Sequence, residues 1–362
     1  MTDKKRMLWV TNMPAPYRLP IFDLLGEVYD LEVCFLLGQN NWRNWNLDQS
    51  PRNWKFRFLK SRTVLFKELE LIVNFGFRIR NLQNYDVIVL GSWENPAYLS
   101  LLARAKKLKK ISVSIYESHP KSQKFKRGLI SSVRAKFFRS MTFTISFGPG
   151  STIALEQMGV KREAILELFN LVDNDWFRVN SKHPEVELHA GHIFLYVGRL
   201  IQIKNIESAI YAFSSIASKF DLFQIVGEGK QLQALKTLVQ KLGLEHQVEF
   251  LGHLSQEKLA RVYASAQTLV LPSENEVWGL VVNEALACGL HAVVSDQAGV
   301  AEAVKTHRGV YVSATDFQNL ASAMSASKND WDGWISDPEI SHLNVETFVD
   351  RVVKQIEVVF IS

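Results

Sequence analysis

The fold class is clearest from residues 192–229, which read HIFLYVGRLIQIKNIESAIYAFSSIASKFDLFQIVGEG. The apolar run 192–197 stops at Gly198 and is typical of a buried parallel strand. Apolar residues then recur at helical spacing from Ile206 to Lys219, and a second apolar run covers Leu222–Val226. Strand, helix and strand in this order indicate a parallel sheet covered by helices.

The same alternation extends in both directions along the chain. In the second half it predicts further strands and helices at Gln231–Leu242, Val248–Leu251, Gln256–Ala264, Thr268–Leu271, Val281–Cys288 and His291–Ser295. In the first half it predicts strands at Met7–Thr11, Leu31–Leu36, Val87–Leu90, Ile111–Tyr116 and Phe143–Ser146, with helices at Leu19–Glu27, Pro96–Leu108 and Ile130–Phe138. We therefore expect an α/β protein of two Rossmann-like, doubly wound parallel-sheet domains that face each other across a cleft.

The domain boundaries follow from the length of the chain and from changes in composition. A chain of 362 residues is long enough for two domains. We expect the first domain over residues 1–172 and the second over 173–344, with an amphipathic helix in 345–362 that packs back on the first domain. Ligands of open parallel sheets bind at the carboxyl ends of the strands, so the loops at those ends are the places to look for chemistry.

Composition excludes several classes of protein. The chain is 47% hydrophobic and 22% charged, which is typical of a globular protein and not of a disordered chain or a collagen. It has two cysteines, too few for a disulfide-stapled fold or a zinc site. The sequence shows no stretch of 18 apolar residues and no targeting segment, so we expect a cytoplasmic protein.

Charge is unevenly distributed. Residues 1–180 carry 28 Lys and Arg against 16 Asp and Glu, whereas residues 181–362 carry 14 against 21, which gives net charges of +12 and −7. In residues 121–139 the basic side chains alternate with Phe, Leu, Ile and Val at helical spacing. Such a helix either presents a solvated basic face or binds an anionic membrane surface. The chain has no nucleic-acid motif, so nucleic acid is not an expected partner.

Three strand-end loops of the second domain carry polar groups. The first contains Gly198 and Arg199 and then Lys204, and two cations beside a glycine turn suit a diphosphate, although surface cations are a common alternative. The second contains Gly227 and Gly229, which permit close approach of the backbone to a ligand or form only a turn.

The third loop contains two glutamates eight residues apart, Glu276 and Glu284. On one helix they would point about 80° apart, so they reach a single ligand only if Glu276 lies in the loop and Glu284 in the helix that follows. The amides of Gly279, Leu280 and Val281 would then begin that helix and suit a phosphate. Alternatively, the glutamates are an exposed side chain and a complement to the helix dipole.

The second half carries, in order, Gly-Arg-Leu, Lys-Asn, Gly-Glu-Gly and Glu-x7-Glu ahead of Ala-Leu-Ala-Cys-Gly. This series resembles the donor half of the retaining glycosyltransferases with the two-Rossmann GT-B fold, commonly called family 4 or group 1. The resemblance is close over 190–315 and looser at 168–173, where Leu171 replaces a glycine of the family. The stretch Pro16-Tyr17-Arg18 is similar to a Pro-Tyr-Arg variant of bacterial members.

The resemblance implies a role for each of these residues. Arg199 and Lys204 would hold the diphosphate of a UDP- or GDP-type nucleotide sugar, Glu276 the sugar hydroxyls and Glu284 the ribose. The glycines Gly198 and Gly227 would line the donor site, and the amides of Gly279, Leu280 and Val281 would bind the distal phosphate or the sugar. It implies no cofactor and no metal, since the Asp-x-Asp pairs at Asp173 and Asp330 lie away from these motifs.

The first domain would bind the acceptor. His119 follows a predicted strand and is similar to the family's catalytic histidine that faces the donor sugar, although a loop histidine is also commonly only a satisfied polar residue. Arg18 and Glu94 are weaker candidates for the acceptor site, and each could instead serve only its own turn.

The resemblance implies a metal-independent hexosyltransferase that retains the anomeric configuration, with a glycan or polyprenyl-linked acceptor, in bacterial surface polysaccharide or lipopolysaccharide synthesis. Such an enzyme would work at the inner face of the membrane. The alternatives are a non-hydrolysing nucleotide-sugar epimerase, for which no acid–base pair is evident, and a non-catalytic protein that binds nucleotides or anionic surfaces. A dinucleotide dehydrogenase is disfavoured, since neither half has Gly-x-Gly-x-x-Gly after its first strand.

Overall fold

The computed structural model describes residues 4–37, 51–59, 61–66, 69–74, 81–123, 125–181 and 190–361. The chain forms two compact units. The first consists of Met1–Phe169 together with Val345–Ser362, and the second of Asn170–Asn344. The division thus falls three residues before the boundary expected from the sequence.

A parallel sheet forms the centre of the first unit. Its strands, in the order β3-β2-β1-β6-β7-β8-β9, are β1 (Arg6–Thr11), β2 (Asp30–Phe35), β3 (Lys55–Phe58), β6 (Val87–Leu90), β7 (Ile111–Tyr116), β8 (Phe143–Phe147) and β9 (Ile165–Leu168). A separate antiparallel pair consists of β4 (Ser61–Phe66) and β5 (Leu69–Asn74). The helices of this unit are α1 (Leu19–Val28), α2 (Pro96–Lys107), α3 (Leu129–Arg139), α4 (Gly148–Gln157) and α12 (Val345–Ile361).

The direction in which strands are added reverses between β1 and β6, which are neighbours in the sheet. The carboxyl ends of these two strands therefore flank a crevice of the kind in which doubly wound proteins bind ligands. Both strands are buried, since every residue of β6 and all but Arg6 of β1 lie in the interior. Burial on both faces explains why they read as continuous apolar runs.

The second unit repeats the plan with a six-stranded parallel sheet. Its strands, in the order β12-β11-β10-β13-β14-β15, are β10 (Ile193–Val197), β11 (Leu222–Val226), β12 (Val248–Gly252), β13 (Thr268–Leu271), β14 (His291–Ser295) and β15 (Val310–Ser313). Its helices are α5 (Asn174–Asn180), α6 (Ile206–Ile216), α7 (Leu232–Lys241), α8 (Gln256–Ser265), α9 (Leu280–Ala287), α10 (Ala301–Val304) and α11 (Phe317–Asn329). The strand order reverses between β10 and β13.

The terminal helix α12 belongs to the core of the first unit. It packs against α1 and β9 and buries Phe348, Val352 and Ile356. The Phe348 ring stacks on Phe147, with their centroids 6.3 Å apart. Among the described residues, no helix is long and apolar enough to cross a membrane.

Two parallel-sheet α/β units confirm the predicted fold class, but several elements were not predicted from the sequence. α4 begins with Gly148-Pro149-Gly150, which resembles a turn, yet proline fits the first turn of a helix because that position needs no amide hydrogen. The edge strands β3, β9 and β15 are short, and α11 carries many Ser and Asn residues, so their periodicity is weak. The helix predicted within 121–139 is observed as α3, and Lys124 lies outside the described residues.

Candidate functional site

The switch point of the second sheet brings two of the predicted loops together. Arg199 follows β10 and Glu276 lies in the loop after β13, and these two strands are hydrogen-bonded neighbours. Their carboxyl ends lie on the same edge of the sheet, where the strand order reverses. Lys204, in the loop that Arg199 begins, therefore meets Glu276 although the two residues are 72 positions apart in the sequence.

Lys204 and Glu276 form an ion pair at this edge. The Lys204 ammonium donates to Oε2 of Glu276, and the two side chains are only 14% and 20% exposed. The pair is supported by the backbone, since the Glu274 amide donates to the Ile203 carbonyl at 3.0 Å. The sequence predicted these two residues as separate donor-site groups, and the structure places them in direct contact.

The two glycine loops pack backbone against backbone. A Cβ added to Gly227 would lie 1.9 Å from the carbonyl oxygen of Gly198, and one added to Gly229 would lie 2.2 Å from that of Leu200. The Leu200 amide also donates to the Glu228 carbonyl at 2.8 Å. Glycine is therefore needed at residues 227 and 229 to join the loops that follow β10 and β11.

Tyr196 is a member of this site that the sequence analysis missed. It is fully buried on β10, and its hydroxyl donates to the Arg199 carbonyl at 3.0 Å. Burial raises the pKa of Tyr196, the Glu276 charge raises it further, and the Arg199 charge lowers it. Because the side chain of Arg199 is exposed while its backbone is held by Tyr196, the guanidinium is available to a ligand.

The loop between β13 and α9 is fixed at both ends. Near its start, the Pro272 carbonyl accepts from the side-chain amide of Asn205 at 3.2 Å. Near its end, the buried Trp278 indole donates to Asn283 at 3.2 Å. Gly279 precedes the first helical residue with a φ of 106°, a backbone conformation that favours glycine.

The amides of Gly279, Leu280 and Val281 point out of the beginning of α9 without a partner among the described residues. The helix has no side-chain N-cap. Unpaired amides at a helix N-terminus, together with the helix dipole, favour an anion. These are the three amides for which the sequence predicted a phosphate.

Glu284 lies on α9, one turn beyond these amides, and is half-buried. Its Oε2 accepts a hydrogen bond of 2.8 Å from the hydroxyl of Tyr263 on α8. Burial raises the pKa of Glu284 to about 7, against the effect of this hydrogen bond, which lowers it. Tyr263 was also missed by the sequence analysis, because it reads simply as an apolar position of an amphipathic helix.

A groove with about 500 Å³ of open space lies beside the 201–205 loop. The polar side chains that line it are two carboxylates, Glu207 and Glu274, and three carboxamides, Gln202, Asn205 and Gln231. Since no cation is among the described residues that line the groove, it does not suit a diphosphate. The cations and free amides described above are not among the residues that line this groove, and they form the better anion site.

In the first unit, His119 lies in the loop after β7 and is buried. Its backbone amide donates to the Ser122 hydroxyl at 3.1 Å, and its carbonyl accepts from the same hydroxyl at 3.1 Å, so the loop turns tightly at this residue. A Cβ added to Gly150 would lie 2.9 Å from Cβ of His119, so the beginning of α4 packs closely on the histidine.

Arg18 and Glu94 follow β1 and β6, the two strands at the switch point of the first sheet. Arg18 pairs with Glu117, the second residue before His119, and the Arg18 side chain is 12% exposed. Glu94 is exposed and accepts from the Ser92 hydroxyl. Burial raises the pKa of Tyr98, Glu94 raises it further and Arg18 lowers it, so both charges lie near this ring.

The first sheet therefore brings the loops of Arg18, Glu94 and His119 to one edge. Glu117 and Tyr98 are additional members, and the Tyr98 hydroxyl donates to Asn12 at 2.9 Å. In the part of the chain that the structure describes, no group of three or more His, Cys, Asp or Glu side chains is arranged to hold a metal ion.

The family match to known proteins lies within the second unit of the chain. Residues 180–333, less than half of the chain, match the family model described as "Glycosyl transferases group 1". An uncharacterised glycosyltransferase of Methanocaldococcus jannaschii is 34% identical over 141 residues, which are 38% of this chain and 36% of that protein. The O-antigen chain mannosyltransferase RfbU of Salmonella typhimurium is 30% identical over 181 residues, 50% of this chain and 49% of that protein. The matches thus span between about a third and a half of these curated relatives.

Solved structures resemble the whole chain in fold. HepE of Anabaena, solved in complex with UDP, superimposes with a TM-score of 0.73 at 15% identity and covers 97% of this chain and 99% of that one. At this identity the likeness shows the fold alone, which is the two-domain, Rossmann-like GT-B fold.

Proposed function

We propose that this chain is a glycosyltransferase that moves a hexosyl group from a nucleotide-diphosphate sugar to a hydroxyl of a glycan or lipid-linked acceptor, with retention of anomeric configuration. The observation that carries the proposal is the anion site at the switch point of the second sheet. There the Lys204–Glu276 pair, the exposed Arg199 and the free amides of residues 279–281 come from loops that the fold brings to one edge.

The nucleotide sugar extends across these groups in the proposed complex. Arg199 and Lys204 bind the diphosphate, and the amides of Gly279, Leu280 and Val281 bind the distal phosphate or the sugar. Glu276, held by Lys204, accepts from the sugar hydroxyls, and Glu284 accepts from the ribose hydroxyls. Gly198 and Gly227 line the donor site in this proposal, and without a side chain at residue 227 the loops after β10 and β11 can pack against each other there.

In the reaction, the bond between the anomeric carbon and the diphosphate oxygen breaks, and a bond to the acceptor oxygen forms on the same face of the sugar. The acceptor proton passes to the departing phosphate. Arg199 and Lys204 stabilise the negative charge that develops on the diphosphate, so the proposed enzyme needs neither a metal nor another cofactor. Among the described residues at this edge, Glu276 is the carboxylate that pairs with Lys204, and this ion pair favours binding over nucleophilic attack.

The first unit supplies the acceptor side in this proposal. His119 would hydrogen-bond the donor sugar near the reacting carbon, and Arg18 and Glu94 would contact the acceptor. The pairing with Glu117 fixes the direction of the Arg18 guanidinium, and fixed guanidinium groups suit oriented recognition of phosphate or hydroxyl oxygens.

We further propose that the first unit binds the anionic inner face of a bacterial membrane, where a polyprenyl-linked acceptor for surface polysaccharide would be found. Leu129 and Ile130 at the beginning of α3 are 81% and 45% exposed, and Phe125 just before them is 48% exposed. Lys126 and Arg127 lie among these apolar side chains. Exposed apolar residues flanked by cations are typical of surfaces that insert shallowly into anionic lipid.

The donor site is tested by thermal unfolding with UDP, GDP, ADP, TDP or CMP in the presence of EDTA. A ligand at about 100 times its Kd adds ~2.7 kcal/mol to stability, so a selective rise in Tm of several degrees is expected for one nucleotide. Transfer from the matching nucleotide sugar is then followed by mass spectrometry, and the anomeric configuration of the product by NMR. Conversion of the nucleotide sugar to its C2 epimer would instead identify an epimerase.

The matched variants are Glu276→Gln and Glu274→Gln. The first alters the carboxylate that pairs with Lys204, whereas the second alters an exposed carboxylate two residues away in the same loop. Glu276→Gln is expected to lower transfer at least about 100-fold and Glu274→Gln less than about threefold. Stabilisation by no nucleotide, or equal activity of both variants, would overturn the proposal.

A further inference from the structure

We propose that Tyr263 is a positioning residue for nucleotide binding, whose hydroxyl orients the Glu284 carboxylate so that one oxygen is left for the ribose, and favours its ionised form. The inference rests on the proposed function, in which Glu284 binds the ribose of a nucleotide. Tyr263 itself touches no ligand in this proposal and acts only through Glu284.

The geometry around Tyr263 makes it a rigid donor. The side chain is fully buried on α8, and its hydroxyl lies 2.8 Å from Oε2 of Glu284 on the neighbouring α9. The Phe177 ring packs edge-to-face on it, with centroids 5.9 Å apart and planes at 82°. A hydroxyl held in this way fixes the carboxylate to which it donates, since moving either group would leave a buried polar atom unpaired.

Glu284 is left with one oxygen for a ligand. Its Oε1 accepts no hydrogen bond from any residue that the structure describes, while Oε2 is occupied by Tyr263. An ionised carboxylate with one oxygen fixed and the other open can accept from a vicinal pair of hydroxyls, which ribose provides. A protonated carboxyl would present a donor at one of these positions and would bind the pair less well.

Apart from Tyr263, the surroundings of Glu284 do not favour the ionised form of its carboxyl group. Among the described residues, no Lys, Arg or His side chain pairs with it. The other titratable neighbour is the Cys288 thiol, immediately after the end of α9, which burial keeps neutral by raising its pKa to about 12. Tyr263 is neutral as well, because burial and the Glu284 charge raise its pKa. The hydroxyl of Tyr263 is therefore the group that opposes the desolvation of Glu284.

The test is the pH dependence of nucleotide-sugar affinity in the whole protein. The Kd for UDP-glucose, whose diphosphate does not titrate near neutrality, is measured by calorimetry from about pH 5.5 to about pH 8.5. The wild type is expected to bind more tightly as the pH rises through about 7, where Glu284 ionises. In Tyr263→Phe the midpoint should move up by about one to two pH units, because a charged acceptor loses its donor.

Three further variants complete the experiment. Glu284→Gln should remove the midpoint altogether. Tyr311→Phe is the matched control, since its hydroxyl also donates to a carboxylate, that of Asp330, at 2.8 Å. It should leave the midpoint unchanged. Replacement of Tyr263 by 3-fluorotyrosine, a more acidic donor of nearly the same size, should move the midpoint to lower pH. This variant tests the role of the hydroxyl even if Tyr263→Phe does not fold.

Two results would overturn the inference. One is a Tyr263→Phe protein that binds more weakly by the same factor at every pH, which would make the residue merely structural. The other is a midpoint unaffected by fluorination. Failure of the wild type to bind UDP-glucose and GDP-mannose at any pH would count against the proposed function itself, and so is distinguishable from both.

Discussion

At the scale of single residues, the proposed donor site depends on contacts that tolerate little change. Lys204 and Glu276 are both largely buried, so each neutralises a charge that would otherwise be costly to desolvate. Gly227 lies against the carbonyl of Gly198 with no room for a side chain. The two features concern different properties, charge and volume, and can be tested separately.

We expect Lys204→Met to weaken binding of the nucleoside diphosphate strongly. The substitution keeps the length of the side chain but removes the cation, leaving the Glu276 carboxylate unpaired and facing the phosphates. Loss of a charged hydrogen bond of this kind is worth about 1.5–3 kcal/mol, or roughly a 10- to 150-fold rise in Kd by calorimetry. Lys230→Met, at an exposed lysine of the next loop, is the control and should change Kd less than about twofold.

Gly227→Ala is expected to destabilise the second unit by about 3 kcal/mol in urea unfolding, because its Cβ would lie 1.9 Å from a backbone oxygen. Gly243→Ala is the control, because it separates the cost of a steric clash from the cost of a strained backbone conformation. Gly243 also has a positive φ, of 66°, but a Cβ there would meet nothing within 4 Å. It should cost only about 1–2 kcal/mol, and equal losses would contradict the steric explanation.

At the scale of elements, the amino ends of β10, β13 and β14 meet in a buried polar network. This network lies at the edge of the sheet opposite the loops that follow β10, β11 and β13. His192 just before β10 bonds through Nε2 to Thr268 at 2.8 Å, and Thr268 bonds to Ser327 of α11 at 2.7 Å. Nδ1 of His291 lies 3.3 Å from the same Ser327 hydroxyl. This network ties three strands to α11.

Stability should fall as the medium is acidified through the titration of these histidines. Burial lowers the pKa of His192 to about 4 and also lowers that of His291. The unfolded chain takes up protons near pH 6.5 and the folded one only at lower pH, so the stabilising contribution is complete above about 6.5 and is lost progressively below it. For His192 we expect a loss of about 2 kcal/mol between about pH 6.5 and about pH 4.5.

The measurement is the free energy of unfolding in urea across this pH range. His192→Gln should be less stable at neutral pH but should show a flatter decline on acidification. His246→Gln, at an exposed histidine, should follow the wild-type slope. An unchanged slope in His192→Gln would show that other groups cause the acid sensitivity.

At the scale of the whole molecule, the two units have separate hydrophobic cores. One core contains Leu8, Ile88 and Leu101, and the other contains Phe194, Ile210 and Phe223. The last residues of the chain belong to the first unit, because α12 buries Phe348, Val352 and Ile356 there. A ligand of the second unit and a change in α12 should therefore act on different unfolding transitions.

We predict that calorimetry resolves two transitions. Ile356→Ala should lower one of them by about 5–10 °C, since removal of a buried Ile side chain costs about 2–5 kcal/mol. The stabilising nucleotide should raise the other. Val358→Ala, at a side chain that is 60% exposed on the same helix, should move neither by more than about 2 °C. If Ile356→Ala lowered both transitions equally, the two cores would not be independent.

Local patterns in the sequence were sufficient to predict many of the strands and helices of this protein. Buried parallel strands such as Val87–Leu90 and Thr268–Leu271 are continuous apolar runs, and their bounds were predicted from those runs alone. The glycine and charged positions of the donor loops were predicted because each loop follows such a strand. Short edge strands and the Gly-Pro start of α4 were missed, because a local pattern is weak where burial is partial or a helix begins with turn residues.

Long-range contacts were decided only by the tertiary structure. The ion pair between Lys204 and Glu276 depends on β10 and β13 being neighbours, and nothing in either loop specifies which strands adjoin. The hydrogen bond from Tyr263 to Glu284 likewise depends on how α8 packs against α9. Sequence periodicity determines which face of an element is buried, whereas the partner of a buried polar group is determined by how complete elements pack together.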